Sequence, residues 1–184
     1  MATDSLIKQL QKSFRYLESA RNTFTETTKL SKDNLSNLCN LSEQYSCCNK
    51  VDFQLTGLKH FSQIKTCTLA KIQVIMEKHL SQLWQEMSCL QSTHQQVAKH
   101  YDLTVNLYNQ HANDLDLKMM TLDDVFHPSY AMMIEMLSDM DRVFHLEYVK
   151  RWQALQDVDY HKPESVQSLS DVWTDCKQLE EAVK

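Results

Sequence analysis

FSQIKTCTLAKIQVIMEKHLSQLWQEMSCLQSTHQQVAKHYDLTVNLYNQHA, residues 61–112, decides the fold. The stretch carries neither Pro nor Gly. Its larger side chains return at Met76, Leu80, Leu83, Met87, Leu90, His94, Val97, Tyr101, Val105 and Tyr108. Steps of three and four residues place these on one stripe of an α-helix. Unbroken, that helix is on the order of 75 Å long. Its apolar stripe must be covered by another element, because an isolated helix gains little stability from propensity alone.

Upstream, Leu6, Ile7, Leu10, Phe14, Leu17, Phe24, Leu35, Leu38, Leu41 and Tyr45 keep a roughly heptad spacing. They predict a second long helix from about Asp4 to Tyr45, with Thr3, Asp4 and Ser5 offering N-cap oxygens. Thr23, Thr25, Thr27 and Thr28 lower helix propensity, and Ser31 to Asn34 can cap a restart, so a kink is expected near residue 30. Between the helices, Cys47 to Lys59 includes Asn49, Asp52 and the only glycine, Gly57. Val51, Phe53 and Leu55 alternate as in a strand, but no second strand exists to pair with them. An extended loop laying apolar side chains on the bundle is expected. The two helices then form an antiparallel hairpin over residues 4–112. Thr28, Ser42, His94 and Thr104 lie on or beside its seam, so a third helix should cover it.

Residues 113–128 form an acidic, irregular linker with Asp114, Asp116, Asp123 and Asp124. A calcium loop of the EF-hand kind fails here. Lys118 takes a ligand position, Met119 stands where the glycine belongs and Val125 where the bidentate Glu belongs. Thr121 with Asp124 resembles a short capping box instead. His127-Pro128-Ser129 opens a third helix, 129–156, with a wide apolar face of Met132, Met133, Met136, Leu137, Met140, Val143, Phe144, Tyr148, Trp152 and Leu155. Pro163 suits a first helical turn and starts a fourth helix, 163–182, with Val166, Leu169, Val172, Trp173, Cys176 and Leu179 as its stripe. The expected fold is all-α, one elongated bundle over residues 1–184 built on a long antiparallel hairpin plus two shorter C-terminal helices.

Composition agrees. One Gly and two Pro in 184 residues are far below the usual shares of about 7% and 5%, so few tight turns are available and sheets are disfavoured. The net charge of −5 argues against direct nucleic-acid binding, which needs a basic face. No signal pattern or membrane-length apolar run is present, and a soluble intracellular protein is expected. The cysteines at 39, 47, 48, 67, 89 and 176 form no Cys-x-x-Cys pair and are expected to be reduced thiols, mostly buried on helices.

Catalytic chemistry finds little support. His79, His94, His100 and His111 are never three or four residues apart, so no two share a helical face as metal ligands, and His145 and Glu147 point apart. A nucleophile elbow is missing, and a single Gly excludes the usual phosphate loops. Only Lys50 stands as a base beside Cys47-Cys48. No catalytic residue, cofactor or metal is expected. The Met-rich face of the third helix reads either as core filling or as an adaptable binding surface. Lys150-Arg151-Trp152 after Tyr148 reads either as a solvated face with one buried Trp or as a contact patch of the kind interfaces favour.

Three runs carry a family resemblance: Tyr108-x-Gln110-His111-Ala112, then Pro128-Ser129-x-Ala131-x-Met133-x-Glu135-x-Leu137-x-Asp139-x-x-Arg142, then Tyr148-x-Lys150-Arg151. They resemble the AIRIM family of small ribosome maturation factors. A weaker likeness extends from Leu6 through the Leu35 to Gln44 segment to Trp173, so it spans nearly the whole chain. The resemblance implies a non-catalytic adaptor in an assembly with two AAA+ ATPases of the spermatogenesis-associated type and a cyclin-dependent-kinase-2-interacting protein. That assembly acts on cytoplasmic pre-60S particles, where it strips and recycles assembly factors, with a further link to replisome protein turnover. It also implies a cytoplasmic and nuclear location, with Tyr108, His111, Met133, Arg142, Tyr148, Lys150, Arg151 and Trp152 as partner-binding positions. The chain departs from the family pattern in its Asn113 to Val125 linker and its shorter C-terminal end. The rival from another class is a stand-alone helical scaffold in vesicle tethering or the cytoskeleton.

Overall fold

A computed structural model describes residues 2–52, 57–58, 60–61, 63–112, 120–121, 128–177 and 179. The described residues are all-α, with four helices: α1 (Ala2–Lys50), α2 (Ile64–His111), α3 (Tyr130–Gln156) and α4 (Pro163–Thr174). None of them is long and apolar enough to cross a membrane.

The helix ends follow local chemistry. Helix α1 begins at Ala2, so Asp4 and Ser5, expected as caps, stand inside its first turn, where Asp4 faces the positive end of the helix dipole. Helix α1 runs without interruption through residue 30, where the sequence offers a restart. Thr23 and Thr25 donate to the carbonyls of Ser19 and Arg21 at 3.0 Å, and the Ser31 hydroxyl lies 2.7 Å from the Thr27 carbonyl. A hydroxyl bonded one turn back stays with the helix instead of drawing its backbone into a non-helical turn. Lys65, at the start of α2, closes the far end by donating to the Asn49 and Val51 carbonyls at 2.7 and 2.8 Å. Val51 is exposed rather than laid on the bundle, and Phe53 and Leu55 lie outside the described residues. Gly57 sits in a turn without left-handed backbone.

Helix α3 opens as its sequence predicts. The Ser129 hydroxyl accepts from the Met132 amide at 3.3 Å, an N-cap bond to the third helical position. Pro163 occupies the first turn of α4, where its missing N–H costs nothing. Helix α4 ends at Thr174, not near 182, because Asp175 turns extended at φ −76° and ψ 102°. The linker readings at Asp114, Asp116, Lys118, Met119 and Asp123 to Val125 fall outside the described residues.

The chain divides into two compact units. The first comprises Met1–Thr25, Leu90–Val149 and Cys176–Lys184, and the second Glu26–Cys89 and Lys150–Asp175. In the first unit Leu6, Leu10, Leu17, Ala20 and Phe24 of α1, Leu90 and Val97 of α2 and Leu137, Met140 and Phe144 of α3 are buried and form the core. Phe24 and Phe144 meet edge to face with centroids 5.0 Å apart, so α3 covers the hairpin seam here. In the second unit Leu35 and Leu38 of α1, Met76, Leu83 and Met87 of α2, Leu155 of α3 and Val166, Leu169 and Trp173 of α4 are buried and form the core.

The polar seam is more extensive than the pattern of large side chains suggests. Ser13, Thr27, Ser31, Ser42, Thr93 and Thr104 are buried, while Phe14, Leu41, Tyr101 and Tyr108 are only half-buried. The cysteines also differ from expectation, since Cys47, Cys67 and Cys89 are exposed and Cys39, Cys48 and Cys176 half-buried.

Candidate protein-interaction site

The eight partner-binding positions expected from sequence divide between the units. Tyr108, His111, Met133, Arg142 and Tyr148 belong to the first, Lys150, Arg151 and Trp152 to the second. In the first unit Tyr108, His111 and Met133 are half-buried. Arg142 is exposed and pairs with Asp139 at 3.2 Å, one turn earlier on α3. Tyr148 stacks on His94 of α2, centroids 4.6 Å apart at 23°.

In the second unit neither reading of Lys150-Arg151-Trp152, a solvated face with one buried Trp or a contact patch, is found whole. Arg151, not the tryptophan, is the buried member at 0% exposure, whereas Trp152 is 41% exposed. Helical spacing explains this. Arg151 lies one turn before Leu155 on the core face of α3, and the adjoining position points outward. The Arg151 guanidinium donates through Nε to the Trp173 carbonyl at 3.2 Å and through Nη2 to the Asp175 carbonyl at 3.4 Å. These acceptors are end carbonyls of α4, which lack partners within the helix. Arg151 thus acts as a C-cap supplied from another helix. Lys150 reinforces it through an ion pair with the Asp175 carboxylate at 3.0 Å. Beside this clasp, α3 and α4 leave a groove of about 470 Å³ with Ala154, Val158, Leu169 and Val172 as its apolar lining and Lys150 and Asp157 as its charges.

The α3–α4 connection is pinned as well. Asp159 accepts from Lys162 Nζ at 3.0 Å and from the His161 amide at 3.1 Å, and these contacts hold its carboxyl below the usual range, the lysine having the larger effect. The His161 ring lies against Tyr45 at 4.8 Å and Tyr160 at 4.3 Å. Gln73 of α2 donates to the Tyr160 hydroxyl at 3.3 Å.

Histidines occupy partly buried positions in the first unit. His94 lies 5.5 Å from His145 between ring centroids, a pairing of two helices that no spacing within one helix discloses. Burial, then the His145 charge, pushes the His94 pKa down. Asp141, on the same side of α3, is pushed up by burial and then by Asp102. His100 lies 3.3 Å from the Ser13 hydroxyl, and Tyr16 stacks on its ring at 4.7 Å. A serine beside a histidine suggests a nucleophile, but Ser13 is wholly buried and no substrate can reach it. Among the described residues no group of three His, Cys, Asp or Glu side chains could hold a metal ion. The arrangement is equipped for binding through side chains such as Trp152, Trp84 and Ile75 in the second unit and Met132, Met136 and Leu146 in the first, all substantially exposed. Exposed tryptophan and methionine at helical positions suit protein contacts.

Residues 4–184 match the family described as ribosome biogenesis protein C1orf109-like. The chain belongs to this family. Among curated proteins it is similar to the AFG2-interacting ribosome maturation factor of Mus musculus, 27% identical over 172 residues that cover 93% of this chain and 79% of the relative. Its counterpart in Xenopus tropicalis is 28% identical over 169 residues, 92% and 82% of the two chains. That of Homo sapiens is 25% identical over 165 residues, 89% and 81%. The family expected from the Tyr108, Pro128 and Tyr148 runs is therefore the family found, and its match takes in α2, α3 and α4 whole.

Proposed function

We propose that this chain is a non-catalytic adaptor in ribosome maturation that binds an AAA+ ATPase of the AFG2 kind. The observation that carries the reading is the family match over residues 4–184, joined to relatives whose name states an AFG2 interaction. Helices that bring exposed Trp and Met side chains to the surface, with Ser13 sealed in the core, suit binding rather than turnover. In its finer form the proposal has the adaptor serve cytoplasmic maturation of the 60S subunit and recycling of assembly factors, with an extension to replisome protein turnover. Its partners would be two ATPases of the spermatogenesis-associated type and a cyclin-dependent-kinase-2-interacting protein, in cytoplasm and nucleus.

The proposed contact set keeps Tyr108, His111, Met133, Arg142, Tyr148, Lys150 and Trp152 as surface groups. Within the second unit Arg151 supports Lys150 and Trp152 from inside by holding α4. Affinity purification of the tagged chain, read by mass spectrometry, tests the function. Recovery of an AAA+ ATPase with large-subunit precursors is the expected result, and recovery of tethering or cytoskeletal proteins without an ATPase overturns it. Trp152→Ala tests the site and should leave the helical signal and melting unchanged while cutting ATPase recovery about tenfold or more, as loss of an interface anchor does. Unchanged recovery removes Trp152 from the site.

A further inference from the structure

The hairpin packs heptad against heptad, and such a seam has a register problem. Leu83, Leu90 and Val97 of α2 follow one another at steps of one heptad, as do Leu10, Leu17 and Phe24 of α1. Sliding one helix past the other by seven residues therefore keeps apolar against apolar nearly everywhere. A long helix of this kind can also pair with a second copy of itself instead of closing on its own chain. Something other than the apolar stripe must choose.

Two polar pairs are placed to choose, one in each unit. In the first unit the buried Ser13 hydroxyl lies 3.3 Å from His100 Nδ1 and 3.3 Å from the Thr104 hydroxyl, which itself donates to the His100 carbonyl at 2.8 Å. In the second unit His79 Nδ1 lies 3.1 Å from Asn34 Oδ1. The Asn34 amide donates to Glu86 Oε1 at 3.2 Å, and the buried Ser31 hydroxyl donates to Glu86 Oε2 at 2.5 Å. Asn34 stands three heptads after Ser13 on α1, and His79 three heptads before His100 on α2. Both pairs thus belong to the same register.

We infer that the Ser13–His100 and Asn34–His79 pairs are register keys, which hold α1 and α2 in one alignment and close the hairpin on itself. Their positions block slippage in both directions. A slide of one heptad one way puts Asn34 opposite Ile72, a buried apolar residue of the second unit. The opposite slide puts Ser13, wholly buried in the first unit, opposite Leu107. Either way a polar group enters the seam without its partner, which costs more than the native bond contributes. A single buried polar residue in a heptad seam is known to select register and strand number in this way, at some expense in stability.

The test removes partners in matched sets, so that few polar groups are orphaned. The full-length chain is made as Asn34→Leu/His79→Leu, and a second variant adds Ser31→Ala and Glu86→Leu. Circular dichroism, light scattering after size exclusion and amide NMR spectra are recorded for each beside the parent. Both variants are expected to stay helical and melt no lower than the parent. They should also show more than one set of amide resonances, or a species of twice the parent mass. One native-like set at the parent mass would overturn the inference, because the apolar pattern and loop would then select the register alone. Loss of folding in both variants would also overturn it, since a key that only selects is dispensable for collapse. Asn34→Gln/His79→Gln, which keeps polar groups at both positions, is the control and should show fewer states than the leucine pair.

Discussion

Replacing Arg151 by Met retains most of the side chain's bulk and deletes the guanidinium, so it isolates what the clasp on α4 contributes. Arg151 is fully buried and makes hydrogen bonds of 3.2 and 3.4 Å to the Trp173 and Asp175 carbonyls. A hydrogen bond from a charged donor contributes about 1.5–3 kcal/mol, and the longer of these two belongs at or below the bottom of that range. Exchanging a whole buried ion network for apolar groups can be neutral, but the Trp173 and Asp175 acceptors are main-chain carbonyls that no substitution removes. They stay behind without their donor. The expected loss is about 3 kcal/mol, which lowers the melting temperature of a chain this size by about 6–12 °C. Urea unfolding gives the free energy, and hydrogen exchange read by peptide should show faster exchange in Pro163–Thr174. Lys150→Ala is the contrast, because its pair with Asp175 is more than one third exposed and contributes under about 1 kcal/mol. If Arg151→Met costs less than about 1 kcal/mol and leaves exchange in α4 unchanged, the clasp does not hold that helix.

Two further predictions use the polar groups of the core. The Ser42 hydroxyl is buried and meets no hydrogen-bond partner among the described residues, so Ser42→Ala should raise stability by about 1 kcal/mol in urea unfolding, and a loss would show a bond to that hydroxyl. Stability should also fall on mild acidification. Burial lowers the His94 and His100 pKa below the ordinary 6.5, so the unfolded chain binds more protons and stability is lost as pH drops through about 6.5 toward the lowered values. Asp141, raised above 3.8, works in the opposite sense and at lower pH, where the native carboxyl takes up its proton first. Melting curves between pH 8 and 5 should therefore slope downward, and His94→Gln/His100→Gln should flatten them. A slope that survives both substitutions assigns the effect to other groups.

Helix existence and type were legible because they depend on periodicity and on scarce Gly and Pro. The stripes at Leu6 to Phe24 and Met76 to Val97, the Ser129 cap and the Pro163 start all appear where the pattern puts them. The Thr-rich middle of α1 has low helix propensity, yet the helix runs through it, with Thr23 and Thr25 bonded one turn back. Family membership was legible from short polar and aromatic runs, and the match over residues 4–184 bears that out. Roles within those runs were not. Arg151 and Trp152 are neighbours in sequence, yet a rotation of about 100° per residue sends one to the core and the other to solvent.

The amino-acid sequence by itself determined that this protein is helical, where α3 and α4 begin and to which family it belongs, because these follow from nearest-neighbour chemistry and from pattern. Only the tertiary structure decided which polar residues are buried and what satisfies them. Ser13 needed His100, Asn34 needed His79, and Arg151 needed the end of α4. Each partner lies on another helix, at a distance in sequence that helical periodicity does not encode. A buried polar group is tolerable only once folding has brought that partner within hydrogen-bond reach.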